Sequence, residues 1–171
     1  MSVIRPFSAL RPKKEYASAV AALPYDVMNS EEAREKVKDL PYSFIHVDKA
    51  EVDLPVGTDI YSDAVYAKAA ENLKKLMSDG ICVLDSKKNL YIYRQTMGDV
   101  VQTGVVGCAS VDDYLNGVIK RHELTRADKE EDRIRHVDTC DANTGPIFLA
   151  YREKAEINAV LDKYTALAPE Y

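Results

Sequence analysis

The sequence predicts an α+β fold, a meander of short antiparallel strands with several packed helices, forming one domain over residues 1–171. Three observations carry this. Apolar residues recur near helical spacing over residues 60–78 (Ile60, Ala64, Ala67, Leu73, Leu76, Met77). Three β-like runs, Ile81–Leu84, Leu90–Thr96 and Val100–Ala109, follow one another across short turn-rich connections. The regular strand–helix–strand alternation of a parallel sheet is missing. A chain of 171 residues with 46% hydrophobic and 30% charged residues can bury a core of its own without covalent staples.

Taken in order, the first strong signal is Asn29-Ser30-Glu31-Glu32, where Asn29 can accept from the third amide while Glu32 reaches back to the first. The helix it opens should run to Leu40, because Pro41 disfavours helical geometry for the residue before it. Ser43–Val47 reads as a brief strand, and Leu54–Thr58 as a loop whose end, Thr58 or Asp59, caps the helix over 60–78. Gly80 stands where that helix needs a left-handed terminus. Asp85–Asn89 and Met97-Gly98-Asp99 separate the β-like runs. Further on come a short helix over Ser110–Gly117, a charged helix over Arg126–Arg135, a strand over Pro146–Tyr151 and an amphipathic helix over Glu153–Leu167. Internal repeats, low-complexity tracts and interdomain linkers are not evident.

A net charge of −5 offers no favourable field to a nucleic-acid backbone, and the eleven tyrosines are not interleaved with basic residues as a stacking platform requires. Nucleic acid is therefore unsupported as a partner of this part of the protein. Cys82, Cys108 and Cys140 lack CxxC spacing, and an odd number of scattered thiols fits a reducing compartment, with cytoplasm the default. The N-terminus lacks a signal-peptide apolar region, and no run approaches the roughly 20 apolar residues of a membrane span.

Chemistry concentrates between Arg121 and Arg133. Lys129 and Arg133 fall one turn apart on one helix face with Asp132 beside them, a pair able to clamp a phosphate or carboxylate. His122 and Glu123 supply acid and base, and Arg121 and Thr125 further ligand contacts. The plainer reading is a solvated charged face held by weak pairs one turn apart. His122-Glu123 is not a zinc motif, since Arg126 stands where HExxH needs its second histidine.

Leu23-Pro24-Tyr25-Asp26-Val27, then Arg121-His122-Glu123-Leu124-Thr125 with Lys129 and Asp132-Arg133, then Ala142–Tyr151 resemble the family catalogued as domain of unknown function ten-fifteen, over nearly the whole chain. That resemblance implies the N-terminal part of a longer protein, whose later half carries a Gly-His-His-Arg-Tyr type segment likened to the phosphate-contacting motif of ParB-like proteins. The missing C-terminal part is thus itself an expected partner. The resemblance favours a ligand site over a solvated face, with His122, Glu123 and Asp132 in proton transfer and Arg121, Thr125, Lys129, Arg133, Tyr25, Asp26 and Asn143 in ligand binding. Two functions follow from it: a catalytic or binding site for a phosphate-bearing small molecule such as a nucleotide, or a ParB-like module acting with nucleic acid or a protein partner.

Other candidates have bland alternatives. Pro24-Tyr25-Asp26 can be a simple turn, and Asn143-Thr144-Gly145-Pro146 a loop without a phosphate-loop signature. Cys140, near His136 and Asp141, reads as an incidental thiol, Cys82 and Cys108 as core residues, and His46 as a hydrogen-bonded strand residue.

Overall fold

The computed structural model describes residues 2–122 and 124–171. In chain order its elements are β1 (Ile4–Arg5), β2 (Leu10–Pro12), α1 (Ala17–Val20), α2 (Ser30–Val37), α3 (Ile45–Asp48), α4 (Asp63–Ser78), β3 (Cys82–Leu84), β4 (Tyr91–Met97), β5 (Val100–Val106), β6 (Cys108–Ala109), α5 (Val111–Leu115), α6 (Ala127–Cys140) and α7 (Ala155–Thr165), with 3-10 turns at Lys14–Tyr16, Tyr25–Val27 and Ala50–Asp53. The fold is α+β, with strands in short antiparallel pairs. The chain divides into two compact units. A helical unit comprises Arg11–Val83 and Thr125–Ile147, and a hairpin unit comprises Met1–Leu10, Leu84–Leu124 and Phe148–Tyr171. Among the described residues no helix is long and apolar enough to cross a membrane.

In the helical unit the capping box forms as the sequence requires. The Asn29 side chain accepts from the Glu31 and Glu32 amides at 3.0 and 2.9 Å, and Glu32 accepts from the Asn29 amide at 2.9 Å. The helix it starts ends at Val37, three residues before Leu40. Ala33 and Val37 then pack with Ile45, flanked by Met28 and Val52. Arg34 donates to the carbonyls of Val52 and Glu51, holding the 3-10 turn against α2.

Ser43–Val47 is not a strand. Ile45–Asp48 forms one helical turn that buries both Ile45 and Val47. Alternate apolar residues suggested an extended segment, but enclosure on several sides overrides that local preference. His46 is satisfied from within: its ring nitrogens face Asp53 at 2.9 Å and the Leu40 carbonyl at 3.2 Å. Asn72 donates to the His46 carbonyl and to Asp53, pinning this turn to α4.

The long helix α4 begins at Asp63 rather than Ile60, because the Asp59 side chain takes the Tyr61 amide at 3.0 Å and its carbonyl the Ser62 amide at 3.0 Å, closing a turn there. Its buried stripe is Val65, Tyr66, Ala69, Ala70, Leu73 and Leu76. Of the expected face only Leu73 and Leu76 are in it, while Ile60 and Met77 are exposed. Small residues at 69 and 70 let neighbouring chain approach closely, and Val65 and Ala69 pack on Ala50 with Leu54 and Cys140 at the edge. Gly80 takes φ +68°, with Ile81 N–H donating to Leu76 O and Gly80 N–H to Met77 O, the paired bonds of a left-handed helix terminus.

In the hairpin unit β4 and β5 pair in register from Tyr91↔Val106 to Met97↔Val100 across a two-residue turn, Gly98-Asp99. Gly98 takes φ +57°, a conformation tight hairpin turns require. β1 pairs antiparallel with β6. The Ser110 hydroxyl caps α5 by accepting from the Asp113 amide. Two expectations fail here or at the unit's edge. Pro146–Tyr151 carries no strand ladder, and Ile147 and Phe148 are 79% and 85% exposed: residues of high β-propensity need an edge to pair with. Cys108 is exposed because its strand is only two residues long, whereas Cys82 is core as expected. The expected last helix does form, over Ala155–Thr165, without a buried residue.

Every buried residue among those described belongs to the helical unit. Segments with few buried apolar contacts open locally at low free energy. Amides of β4 and β5 are therefore expected to exchange with deuterium well before those of Val65–Leu76, and equal protection in a native-state exchange series would contradict this. Asn29→Ala should lower stability in urea by about 1 kcal/mol with an unchanged denaturant slope.

Candidate functional site

Helix α6 is almost entirely polar, yet it lies against α4 in the helical unit. Residues 129, 132, 133, 136 and 140 form one stripe of the helix, and two of them, Asp132 and His136, are buried. The Tyr66 hydroxyl donates to Asp132 Oδ1 at 2.8 Å, while Arg133 donates to Asp132 Oδ2 through Nε at 3.1 Å and an Nη at 2.9 Å. His136 Nε2 lies 3.0 Å from the Val47 carbonyl, which can only accept, so this nitrogen carries the proton. The sequence signal for this face was the spacing of Asp132 and His136. A helix thought to stop at Arg135 hid it.

This stripe borders a cavity of about 60 Å³, lined among others by Tyr25, Asp48, Tyr61, Lys129, Arg133 and His136. Such a space takes a few water molecules or one phosphate-sized group, far less than the roughly 300–1,000 Å³ of pockets that enclose drug-sized ligands. Aromatic rings hold the two cations at its border. The Arg133 guanidinium sits 4.4 Å from the Tyr25 ring centroid, and Lys129 Nζ sits 5.7 Å from that of Tyr61.

The cations differ in how they are balanced. Arg135 is spent on the fold, donating to the Tyr61 carbonyl and to Asp63, and Lys49 pairs with buried Glu51 at 3.1 Å. Arg126 pairs with Asp128, whose carboxyl that hydrogen bond holds below the usual range. Arg133 has Asp132. Lys129 alone among these has no carboxylate within ion-pair distance among the described residues. Its ammonium donates to the Tyr61 hydroxyl at 3.2 Å, a bond that, ahead of other causes, raises its pKa.

Asp48, absent from the sequence-level candidates, also faces the cavity. Burial raises its pKa, against smaller opposing effects of His136, a hydrogen bond with Thr144, and Arg133. Its Oδ1 is buried without a hydrogen-bond partner among the described residues. The Thr144 hydroxyl also lies 3.4 Å from His136 Nδ1, so Asp48, Thr144 and His136 form one chain. Asn143 was the expected contact from this loop, but it is exposed, and Thr144 makes the contacts.

Of the other expected site residues, Asp132, Lys129, Arg133 and Tyr25 come together here. Asp26 and Thr125 are exposed and do not line the cavity. Arg121 and His122 belong to the hairpin unit, where Arg121 Nε donates to the Tyr114 hydroxyl at 2.7 Å and His122 is exposed. Glu123 lies outside the described residues. Cys140 packs at the edge of the apolar cluster, where burial raises its pKa, the opposite of an activated thiol. Among the described residues no group of three or more His, Cys, Asp or Glu is placed to hold a metal ion.

Burial, and after it the hydrogen bond to Asp132, push the Tyr66 phenol up to about 12. A phenol whose folded pKa exceeds its unfolded value of roughly 10 stabilises fully below pH 10 and loses that contribution as pH rises through 12. An absorbance titration of tyrosinate should show a late-ionising phenol that Tyr66→Phe removes. Over the same range the parent should lose stability faster than the variant. Unaltered late titration in Tyr66→Phe would show the Asp132 contact to be misassigned.

Comparison with curated proteins and with solved structures finds no match. A family model matches residues 4–171, a span that takes in the motifs around Tyr25, Arg133 and Asn143. The chain belongs to the family described as Protein of unknown function (DUF1015).

Proposed function

We propose that the cavity of the helical unit binds the anionic end, phosphate or carboxylate, of a small molecule. The observation that carries this reading is Lys129, a cation beside Arg133 at the cavity with, among the described residues, only a tyrosine hydroxyl as its hydrogen-bond partner. Two cations on one helix face repel each other when the site is empty, and an anion between them relieves that repulsion. Asp132 acts here as a positioning residue: both its oxygens are engaged, fixing the Arg133 fork. Tyr25 and Tyr61 limit the freedom of the two cationic side chains, so less entropy is lost on binding. The cavity volume restricts the enclosed part to roughly one phosphate group, so a nucleotide would leave its base and sugar outside.

Inorganic phosphate titrated into the protein should shift the amides of residues 129–133, with affinity falling as salt rises. Lys129→Ala should weaken binding about tenfold, the loss expected for one charge-assisted hydrogen bond. In a thermal-shift series, phosphorylated small molecules should raise the melting temperature more than duplex DNA at equal phosphate concentration. If phosphate shifts no amides here, or shifts them in Lys129→Ala and Arg133→Ala just as in the parent, the cluster is an internal network and the reading is wrong.

A further inference from the structure

The hairpin of β4 and β5 is a two-stranded sheet, so among the described residues each strand has one edge without a ladder partner. Two strands alone are marginally stable in water, and an open edge of amides and carbonyls is a template for another strand. Such edges are ordinarily guarded by charge, proline or a bulge. β4 has Arg94 at its centre. β5 reads Val100-Val101-Gln102-Thr103-Gly104-Val105-Val106, in unbroken register with β4, and carries none of the three guards. Glycine inside a strand often marks close approach of another backbone, and no described atom stands within 4 Å of where a Cβ at Gly104 would lie.

Read outward from Thr103, β5 nearly repeats itself in both directions. Two copies set antiparallel about a two-fold axis at Thr103 place Val100 opposite Val106, Val101 opposite Val105, Gln102 opposite Gly104 and Thr103 opposite itself. Pairs of β-branched residues stabilise neighbouring strands, and the missing side chain at Gly104 leaves room for that of Gln102. Val100, Val101 and Val105 are exposed in the single chain, so the pairing also covers apolar surface. No like charges meet along β5, although the chain carries a net −5. The same operation on β4 would set Arg94 against Arg94. Helix α7 packs on β4, on the far strand from this edge.

We propose that two copies of this chain associate through β5, joining their hairpins into one antiparallel sheet with Thr103 on the two-fold axis. The edges bearing Arg94 are then outermost, so growth stops at two copies. None of these residues lines the cavity of the helical unit, and the dimer stands or falls apart from what that cavity binds. One short strand edge covers less than the roughly 1,600 Å² of a stable complex, so the association is reversible and concentration-dependent. The early amide exchange expected of the hairpin belongs to the dilute chain.

Sedimentation velocity on the whole chain, from about 5 to about 500 µM, should show a monomer passing into a dimer and no larger species. Thr103→Glu should weaken association about fivefold, because the two carboxylates face each other across the axis. Within one chain the new Glu lies opposite Arg94, so the hairpin itself keeps its pairing. Register is read by cross-linking in a Cys108→Ser background. Thr103→Cys meets its own copy at strand spacing and should form a disulfide-linked dimer under mild oxidation. Val100→Cys should not, since the two copies of that position lie roughly 20 Å apart.

A chain that stays monomeric over the whole range overturns the proposal. So does association that Thr103→Glu leaves unchanged, or cross-linking as fast at position 100 as at 103, either of which would put the contact between copies elsewhere. Should Thr103→Glu fail to fold, the cross-linking pair decides.

Discussion

The contact on which the helical unit depends is the buried hydrogen bond between Tyr66 on α4 and Asp132 on α6. Few apolar groups hold α6 in place: Ile134 is exposed, and Cys140 reaches only the edge of a small cluster. Polar contacts therefore set its rotation. With Asp132 held by Tyr66, and His136 by the Val47 carbonyl one turn later, the residues at 129 and 133 must face the cavity. A slip of one residue would leave a buried carboxylate unpaired, which costs far more than a surface contact, so the network specifies the register as well as stabilising it.

That dependence explains what the sequence shows and what it conceals. Features set by a few neighbouring residues were legible: the capping box at Asn29, the left-handed Gly80 and the Gly98 turn of the hairpin. Each follows from local hydrogen bonding or glycine geometry, and each forms where expected. The helical turn at Ile45 was not legible, since its alternating apolar residues fit a strand equally well and only burial among other elements decides between the two. The stretch 146–151 failed in the opposite sense, having strand-like residues but no ladder.

The site was half legible for the same reason. Lys129, Asp132 and Arg133 could be grouped because helical periodicity places them together. His136 shares their face, yet the expected helix ended one residue before it. Asp48 belongs to a segment distant in sequence, and Thr144 was passed over for its neighbour Asn143. No periodicity connects positions 48, 136 and 144; only the folded chain does, through the Val47 carbonyl and the loop after Asp141.

Structural ion pairs and ligand sites can share a composition, and closure is what distinguishes them. Lys49 with Glu51, and Arg135 with Asp63 and the Tyr61 carbonyl, are closed: each charge has its partner and the fold is the beneficiary. The stripe from Lys129 to His136 is open at Lys129, a cation at the edge of one small cavity whose hydrogen-bond partner among the described residues is a neutral hydroxyl. A carboxylate one turn away would close it if stability alone were served. An open cation beside a preorganised cavity is the arrangement expected when a third body completes it.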